Sequence, residues 1–296
     1  MTTDTTHAAD TTGTATADTR ATGAGVRAVR RRRLLVLTAR LGVAVVVLGG
    51  WQLATTVGWL DPFFFGQPSG IARRLVEFFS QGQQATEFGS FWLQIETTLK
   101  EAVLGFALGA VTGVVFGVAL GQNQFLADVF GPYLKIVNAI PRIVLGSIFV
   151  VAFGIGETPK ILLAAVLVFF VVFFNAFQGV REVDRNILAN ARVLGASPLQ
   201  IVRHVVVPSA LTWIIASLHT AFGFAIVGAL VGEVLGAQNG LGLVIKTAQN
   251  SFDPNGVFAA MFVIAVIALS AEWLITKLEH RLLSWRPPSP SEAAAI

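Results

Sequence analysis

Long apolar stretches separated by short polar intervals dominate the chain. Six of them are long enough to be membrane spans, at residues 34–60, about 91–120, 132–154, 159–178, 208–235 and 257–283. About 20 apolar residues suffice for an α-helix to cross a bilayer. The pattern therefore predicts an all-α integral membrane protein with about six transmembrane helices.

The intervals between these stretches suggest how the chain is divided. Residues 1–29 hold almost no large apolar side chain, so we predict a disordered N-terminal tail that is not cleaved as a targeting peptide. Residues 30–60 are predicted to form the first transmembrane helix and residues 61–90 an external or interfacial segment. A transmembrane core follows at 91–286, with a loop at 181–208, and a C-terminal tail at 287–296.

Composition supports a lipid environment and narrows the chemistry. The chain of 296 residues is 54% hydrophobic and 13% charged, with a mean hydropathy of +0.70, whereas a soluble domain carries about a quarter charged residues. It has no cysteine, which excludes disulfides, thiolate metal sites and cysteine nucleophiles. The net charge of +4 comes from basic residues at the ends of apolar runs, so we predict a lipid bilayer and no nucleic acid as partner.

The basic residues also predict the orientation of the chain. Four arginines at 30–33 precede the first span, and further basic residues lie in the 179–207 interval and the C-terminal region, at Arg181, Arg185, Arg192, Arg203, Lys277, Arg281 and Arg286. The opposite loops near 155–160 and 236–255 hold only Lys160 and Lys246. Because cytoplasmic loops carry an excess of Lys and Arg, we expect both termini in the cytoplasm, with Arg73 and Arg74 as local exceptions.

The interval between the fourth and fifth spans, residues 181–208, has the pattern of two short helices. Apolar residues recur at helical spacing at Val183, Ile187, Ala191 and Leu194, which predicts an amphipathic first helix. Gly195 permits the positive φ with which helices commonly end. Ser197 and Pro198 form a capped helix start, and Pro208 is predicted to end the second helix. A rigid helix-turn-helix that transmits force from a soluble partner and an ordinary surface loop are equally compatible with this pattern.

This interval resembles the loop shared by permease subunits of bacterial binding-protein-dependent ABC importers. The consensus of that loop is Glu-Ala-Ala, three residues, Gly, nine residues, Ile, one residue and Leu-Pro. Gly195 matches the glycine, Val205 the isoleucine and Val207-Pro208 the Leu-Pro pair. Ala189, Asn190 and Ala191 stand where Glu-Ala-Ala is usual. Because the glutamate is absent, we expect this loop to contact the ATPase of the importer through shape and apolar packing more than through charge.

The resemblance covers roughly residues 34–286 and narrows to the nitrate/sulfonate/taurine branch. Ordered motifs carry it: Ala139-Ile-Pro-Arg-Ile-Val, Phe153-Gly-Ile-Gly-Glu157, Val231-Gly-Glu233, Gly240-Leu-Gly242 and Glu279-His-Arg-Leu-Leu-Ser-Trp285. The chain departs from the branch at Ser147, where a second proline is usual, and at Ala152, where tryptophan is usual.

The resemblance implies a type I ABC importer-like membrane domain in the bacterial cytoplasmic (inner) membrane. Such a subunit pairs with a second permease, usually an identical copy, with ATPase subunits and with an external solute-binding protein. The solute would be a small anion such as a sulfonate, taurine or nitrate. By this resemblance, the residues that couple the chain to the ATPase are Ala189, Asn190, Ala191, Arg192, Leu194, Gly195, Ala196, Ser197, Pro198, Arg203 and Pro208.

The chain itself is predicted not to be an enzyme and to bind no cofactor or metal. It lacks the Gly-x-x-x-x-Gly-Lys-Ser/Thr loop that holds nucleotide phosphates, so ATP and Mg²⁺ are expected on the partner ATPase. His204 and His219 lack metal-ligand partners at useful spacing. The alternative function is a self-sufficient secondary transporter, whose broken helices and internal repeats are not evident in the sequence.

Three residues are candidates for a solute pathway or gate: Pro141, Arg142 and Glu233. Pro141 is expected to bend the third span, and Arg142 either faces an aqueous cavity or, as we favour, reaches lipid phosphates. Glu233 serves the pathway or hydrogen-bonds the following glycine-rich turn, with equal weight.

Two further patterns in the second span indicate packing. Glycine recurs every fourth residue at Gly105, Gly109, Gly113 and Gly117, which favours close helix contact. Lys100 is expected to pair with Glu96 one turn away, and Glu101 is a functional or structural ionisable residue.

Overall fold

The computed structural model describes residues 15–82 and 85–282. The regular elements of these residues are helices, which confirms the all-α prediction. They are α1 (Ala15–Val57), α2 (Pro62–Phe65), α3 (Pro68–Ser80), α4 (Phe91–Gln122), α5 (Gln124–Ala139), α6 (Ile143–Phe153), α7 (Thr158–Arg181), α8 (Arg185–Val193), α9 (Pro198–Ile201), α10 (Val207–Leu235), α11 (Leu241–Asn250) and α12 (Pro254–Leu282). A π-helical turn, Val202–Val206, joins α9 to α10.

The chain divides into two compact units, Met1–Pro68 and Ser69–Ile296. The first unit holds α1, whose part Leu34–Val57 is long and apolar enough to span a membrane. The predicted disorder of residues 1–29 is wrong for residues 15–29, which are helical. Alanine is frequent there and favours helix, so the first span is extended at its N-terminus. Residues 1–14 and the predicted tail at 287–296 lie outside the described residues.

The prediction of about six spans is confirmed. Five helical stretches of the described chain pass as membrane spans by length and apolar character, at Leu34–Val57, Phe91–Gln122, Thr158–Arg181, Pro198–Leu235 and Pro254–Arg281. The pair α5 and α6 forms a sixth if the two helices count as one span.

The third predicted span, 132–154, is not one helix. α5 and α6 are bent by 89° at the break between Ala139 and Ile143. Pro141 lies in this break, has no N–H to donate and excludes the preceding residue from helical geometry. The bend expected at Pro141 is therefore confirmed, and it breaks a span that the sequence presented as continuous.

The core of the second unit is the contact between α4 and α7, with α10 packed against both. A Cβ atom added at Gly109 would lie 2.4 Å from the carbonyl oxygen of Ala165, and one at Gly105 would lie 2.4 Å from Cβ of Ala164. Only glycine lets the two backbones approach this closely. The packing role predicted for the glycine stripe is confirmed.

A second cluster joins α3, α11 and α12 to the start of α4. Phe78 of α3 stacks on Phe91 of α4 with ring centroids 4.5 Å apart, and Leu241 of α11 is buried beside them. Arg74 of α3 forms ion pairs with Glu77 and with Asp253, which precedes α12. These contacts fix α11 and the turn before it against the beginning of α4.

Candidate functional site

The first candidate site is the loop at 181–208, which we call the coupling loop. Asp184 caps α8 by accepting a hydrogen bond from the N–H of Asn186 at 2.8 Å. After α8, Gly195 has φ +81°, and the N–H of Ala196 reaches back to the carbonyl of Ala191 at 3.0 Å. This is the geometry with which helices end in a left-handed residue. The predicted glycine turn is confirmed.

The second helix of the coupling loop begins as its sequence predicts. The side chain of Ser197 accepts a hydrogen bond from the N–H of Gln200, and the side chain of Gln200 accepts one from the N–H of Ser197. This reciprocal pair satisfies two free N–H groups. Pro198 occupies the first helical position, where its missing N–H costs nothing.

The predicted end of this helix at Pro208 is wrong. α9, the π-helical turn and α10 form one continuous stretch, Pro198–Leu235, and Pro208 lies in the first turn of α10. In the π-helical turn the N–H of Val207 bonds to the carbonyl of Val202, five residues back. This shift changes the hydrogen-bond register just before Pro208, which lacks an N–H. The chain therefore passes the proline without a break.

The inner face of the coupling loop packs on the transmembrane core. Val183, Ile201 and Val206 are buried with Val180 of α7 and Ile214 of α10. Of the predicted coupling residues, Ala191, Ala196 and Pro208 are half-buried, and the exposed ones are Ala189, Asn190, Arg192, Leu194, Gly195, Ser197, Pro198 and Arg203.

The tip of the coupling loop exposes apolar side chains. Leu194 is 85% exposed, Val193 86% and Leu199 76%. Leu194, predicted to lie on the apolar face of the first helix, is thus not covered by the core, whereas Val183 of the same predicted face is buried. Exposed apolar side chains on a rigid turn outside the spans are typical of a docking surface.

The second candidate site lies at the other end of α10, and we call it the polar junction. Its side chains belong to three helices and are at most 3% exposed: Gln94, Thr98 and Glu101 of α4, Lys160 of α7 and Glu233 of α10. It also includes the backbone of Gly240–Gly242, where α11 begins.

Glu233 and two α4 side chains hold the start of α11. One carboxylate oxygen of Glu233 accepts from the hydroxyl of Thr98 at 2.6 Å, and the other accepts from the N–H of Gly242 at 2.6 Å. Thr98 in turn accepts from the N–H of Leu241 at 2.8 Å, and Gln94 accepts from the N–H of Gly240 at 2.7 Å.

The position of the Glu233 carboxylate is favourable, because N–H groups are free at a helix N-terminus. Of the two roles considered for Glu233, the structure shows the hydrogen bond to the turn, and its pathway role stays a prediction.

Two glycines make room for this carboxylate. Gly240 has φ +125°, and a Cβ there would lie 2.2 Å from Cδ of Glu233. A Cβ at Gly242 would lie 2.9 Å from an oxygen of the same carboxylate. The Gly240-Leu-Gly242 motif is thus required by contact with Glu233.

Lys160 is buried in the first turn of α7, although the sequence placed it in a loop. Its ammonium group donates to the carbonyls of Ile155 at 2.9 Å and Gly156 at 2.8 Å, and lies 3.9 Å from an oxygen of Glu101.

The predicted partner of Lys100, Glu96, is wrong, because Lys100 pairs with Glu157 at 2.8 Å. Glu157 directly precedes α7 and is within reach of the exposed face of α4.

The sequence did not predict that the side chains of the polar junction lie close together. One signal for it is present: Gln94, Thr98 and Glu101 precede Gly105 and Gly109 at helical spacing, so polar and glycine positions continue one stripe of α4. The glycines of that stripe face α7, Thr98 bonds to Glu233 of α10, and Gln94 bonds to Gly240 before α11.

Arg142 lies at the break between α5 and α6. Its guanidinium contacts the side-chain oxygen of Asn138 and lies 4.9 Å from the ring centroid of Phe170. These contacts tie the break to α7, while Pro141 itself is exposed. The pathway roles of Pro141 and Arg142 stay predictions.

His219 of α10 is a further polar contact that the sequence did not reveal. Its ring nitrogens lie 2.7 Å from a carboxylate oxygen of Glu272 and 2.9 Å from one of Glu279, both on α12. Both contacts are hydrogen bonds only if both ring nitrogens carry hydrogen. The contacts clamp α10 to α12.

The chain matches known transport proteins over most of its length. Residues 109–284 match the family described as binding-protein-dependent transport system inner membrane component. The chain is 30% identical over 241 residues to the putative aliphatic sulfonates transport permease protein SsuC of Bacillus subtilis, covering 81% of this chain and 85% of that protein. It is 28% identical over 249 residues to the taurine transport system permease protein TauC of Escherichia coli, covering 84% and 90%.

The chain is also similar to a permease named for a different solute and to a chain of a solved structure. The riboflavin transport system permease protein RibX of Chloroflexus aurantiacus is 30% identical over 241 residues, covering 81% of this chain and 87% of that protein. A chain of the MetNI methionine ABC transporter superposes with a TM-score of 0.51 at 20% identity, covering 65% of this chain and 92% of that one. The latter likeness supports the fold.

Proposed function

Because this chain belongs to the family of binding-protein-dependent transport system inner membrane components, we propose that it carries a small anionic solute through an ATP-driven importer. Family membership makes it a permease subunit of a binding-protein-dependent ABC importer. Such a subunit does not hydrolyse ATP itself. In our proposal ATP and Mg²⁺ are bound by a separate ATPase subunit.

The coupling loop is the observation that carries this proposal. Its turn is closed by Gly195 and Ser197, its inner face is packed on α7 and α10, and its apolar tip is exposed. A movement of a partner that grips this tip would pass to α10, since α9 continues into that helix without a break. We infer that the tip docks on the ATPase.

Sulfonates and taurine are the proposed solutes, with nitrate as a further small anion. Support comes from the relatives named for aliphatic sulfonates and for taurine. The riboflavin relative is similar to the same degree, so the external binding protein is proposed to do most of the selecting.

The proposed assembly has two copies of this chain, ATPase subunits on the side of the coupling loop and a solute-binding protein on the opposite side. Placing the basic 179–207 interval in the cytoplasm agrees with the charge rule for membrane proteins. Both termini are then cytoplasmic and the polar junction lies toward the outside.

Reconstitution in proteoliposomes tests this function. The chain, its ATPase and its binding protein are expected to take up taurine or an alkyl sulfonate with ATP, and ATP hydrolysis should rise with the loaded binding protein. Riboflavin and nitrate serve as competing solutes. Uptake by the chain alone under an ion gradient would instead establish the alternative, a secondary transporter.

A further inference from the structure

The polar junction holds one cation and two carboxyl groups, all removed from solvent. Glu101 and Glu233 are each 0% exposed and Lys160 is 2% exposed. Glu101 follows Thr98 by one turn of α4, and Thr98 bonds to Glu233, so the two carboxyl groups are neighbours. Glu157, which is exposed and paired with Lys100, is the other acidic group near Glu101. With every group in its usual ionisation state, the buried set would carry a net charge of −1.

The hydrogen bonds distinguish the two carboxyl groups. Both oxygens of Glu233 accept from donors, the Thr98 hydroxyl and the Gly242 N–H. Neither oxygen of Glu101 accepts a hydrogen bond from the described residues. The Lys160 ammonium is turned toward two carbonyls and stays 3.9 Å from Glu101, beyond hydrogen-bond distance.

A buried carboxylate without donors is very costly, and such a group takes up a proton instead. A protonated carboxyl gains an O–H donor, and a carboxylate at Glu233 has lone pairs that can accept it. In that arrangement the carboxylate of Glu233 balances the charge of Lys160.

We propose that Glu101 is a neutral carboxylic acid whose O–H donates to Glu233, so that the polar junction is a buried proton-binding site. The proton joins α4 to α10 at Glu233, the residue that, with Gln94 and Thr98, holds the turn between α10 and α11. Loss of the proton places two carboxylates side by side in a buried site. The turn at Gly240–Gly242 is then the part that loosens, since it depends on Glu233.

Infrared spectroscopy of the purified chain at neutral pH tests the proposal directly. A protonated carboxyl group gives a C=O band separate from those of carboxylates and amides. The wild-type chain should show this band, and Glu101→Gln should lose it while keeping its fold, because the Gln amide can still donate to Glu233. Glu96→Gln, which removes an exposed carboxylate of the same helix, should keep the band.

A second variant keeps the test decisive if Glu101→Gln does not fold. Glu233→Gln removes both the carboxylate that accepts the O–H of Glu101 and the charge that balances Lys160, so the band should shift or disappear as Glu101 ionises. A wild-type spectrum without a protonated carboxyl band overturns the proposal. So does a band that survives Glu101→Gln, or one that Glu233→Gln leaves unchanged.

Discussion

The two ends of α10 carry sites that are built in opposite ways. At its start, the coupling loop is formed by contacts between residues close in sequence and exposes an apolar tip. At its end, the polar junction joins residues up to 146 positions apart and buries charged groups. The 29-residue helix separates them by about 40 Å along its axis.

The difference indicates a division of labour along one helix. A turn closed by its own capping bonds keeps its shape while its tip contacts a partner. The side chains of the polar junction are buried, and those of Gln94, Thr98 and Glu233 are bonded to one another or to the turn where α11 begins. The first site is therefore suited to docking, and the second to holding the far end of the bundle together.

The largest expected effect is at Lys160. Lys160→Met removes the only cation of the polar junction and leaves two carbonyls without donors, which should destabilise the folded chain by about 3–5 kcal/mol, the range for breaking a buried ion pair. Thermal unfolding in detergent, followed by circular dichroism, measures this loss. Lys100→Met is the matched control, because that lysine is half-exposed in its pair with Glu157 and should change little. Equal losses in both variants would contradict the distinction.

A smaller effect is expected at Thr98. Thr98→Val keeps the shape of the side chain but removes the donor to Glu233 and the acceptor for Leu241, at a cost of roughly 1–3 kcal/mol. The control is Thr97→Val, because the Thr97 hydroxyl only donates to the carbonyl of Leu93 in its own helix. Unfolding measurements on both variants check the prediction, and a Thr98 variant as stable as the Thr97 variant would refute it.

The contrast between the sites also explains what the sequence could reveal. The structure of the coupling loop at Gly195 and Ser197 was predictable, because a turn and a capping box each depend on residues that are close in sequence. The polar junction was not, because Thr98 and Glu233 are 135 residues apart and nothing local pairs them. Span number followed from apolar length and the bend from Pro141, but the size of the bend, 89°, did not follow from the sequence. The helix continues past Pro208 because of a π-helical turn, which no pattern of residues predicted.

The glycine turn of the coupling loop should respond to backbone geometry more than to side-chain size. Gly195→Val places a β-branched residue at φ +81°, which costs about 1–2 kcal/mol and should distort the loop enough to reduce solute-stimulated ATP hydrolysis strongly. Gly195→Asn is the control, since asparagine tolerates this region. Hydrolysis measured in the reconstituted complex should be retained in the Asn variant. Full activity of the Val variant would argue against a coupling role for the turn.

The smallest effect on folding, and the sharpest separation of the two sites, is expected at Leu194. Because this side chain is 85% exposed, Leu194→Ser should leave the unfolding temperature unchanged, unlike either variant of the polar junction. If the tip docks on the ATPase, the same change should weaken ATPase binding roughly tenfold, which corresponds to about 1.4 kcal/mol. Val76→Ser, on the exposed face of α3, is the control and should alter neither quantity. Binding is measured by titrating the purified ATPase onto the chain in nanodiscs, and unchanged affinity would show that the exposed tip does not take part in docking.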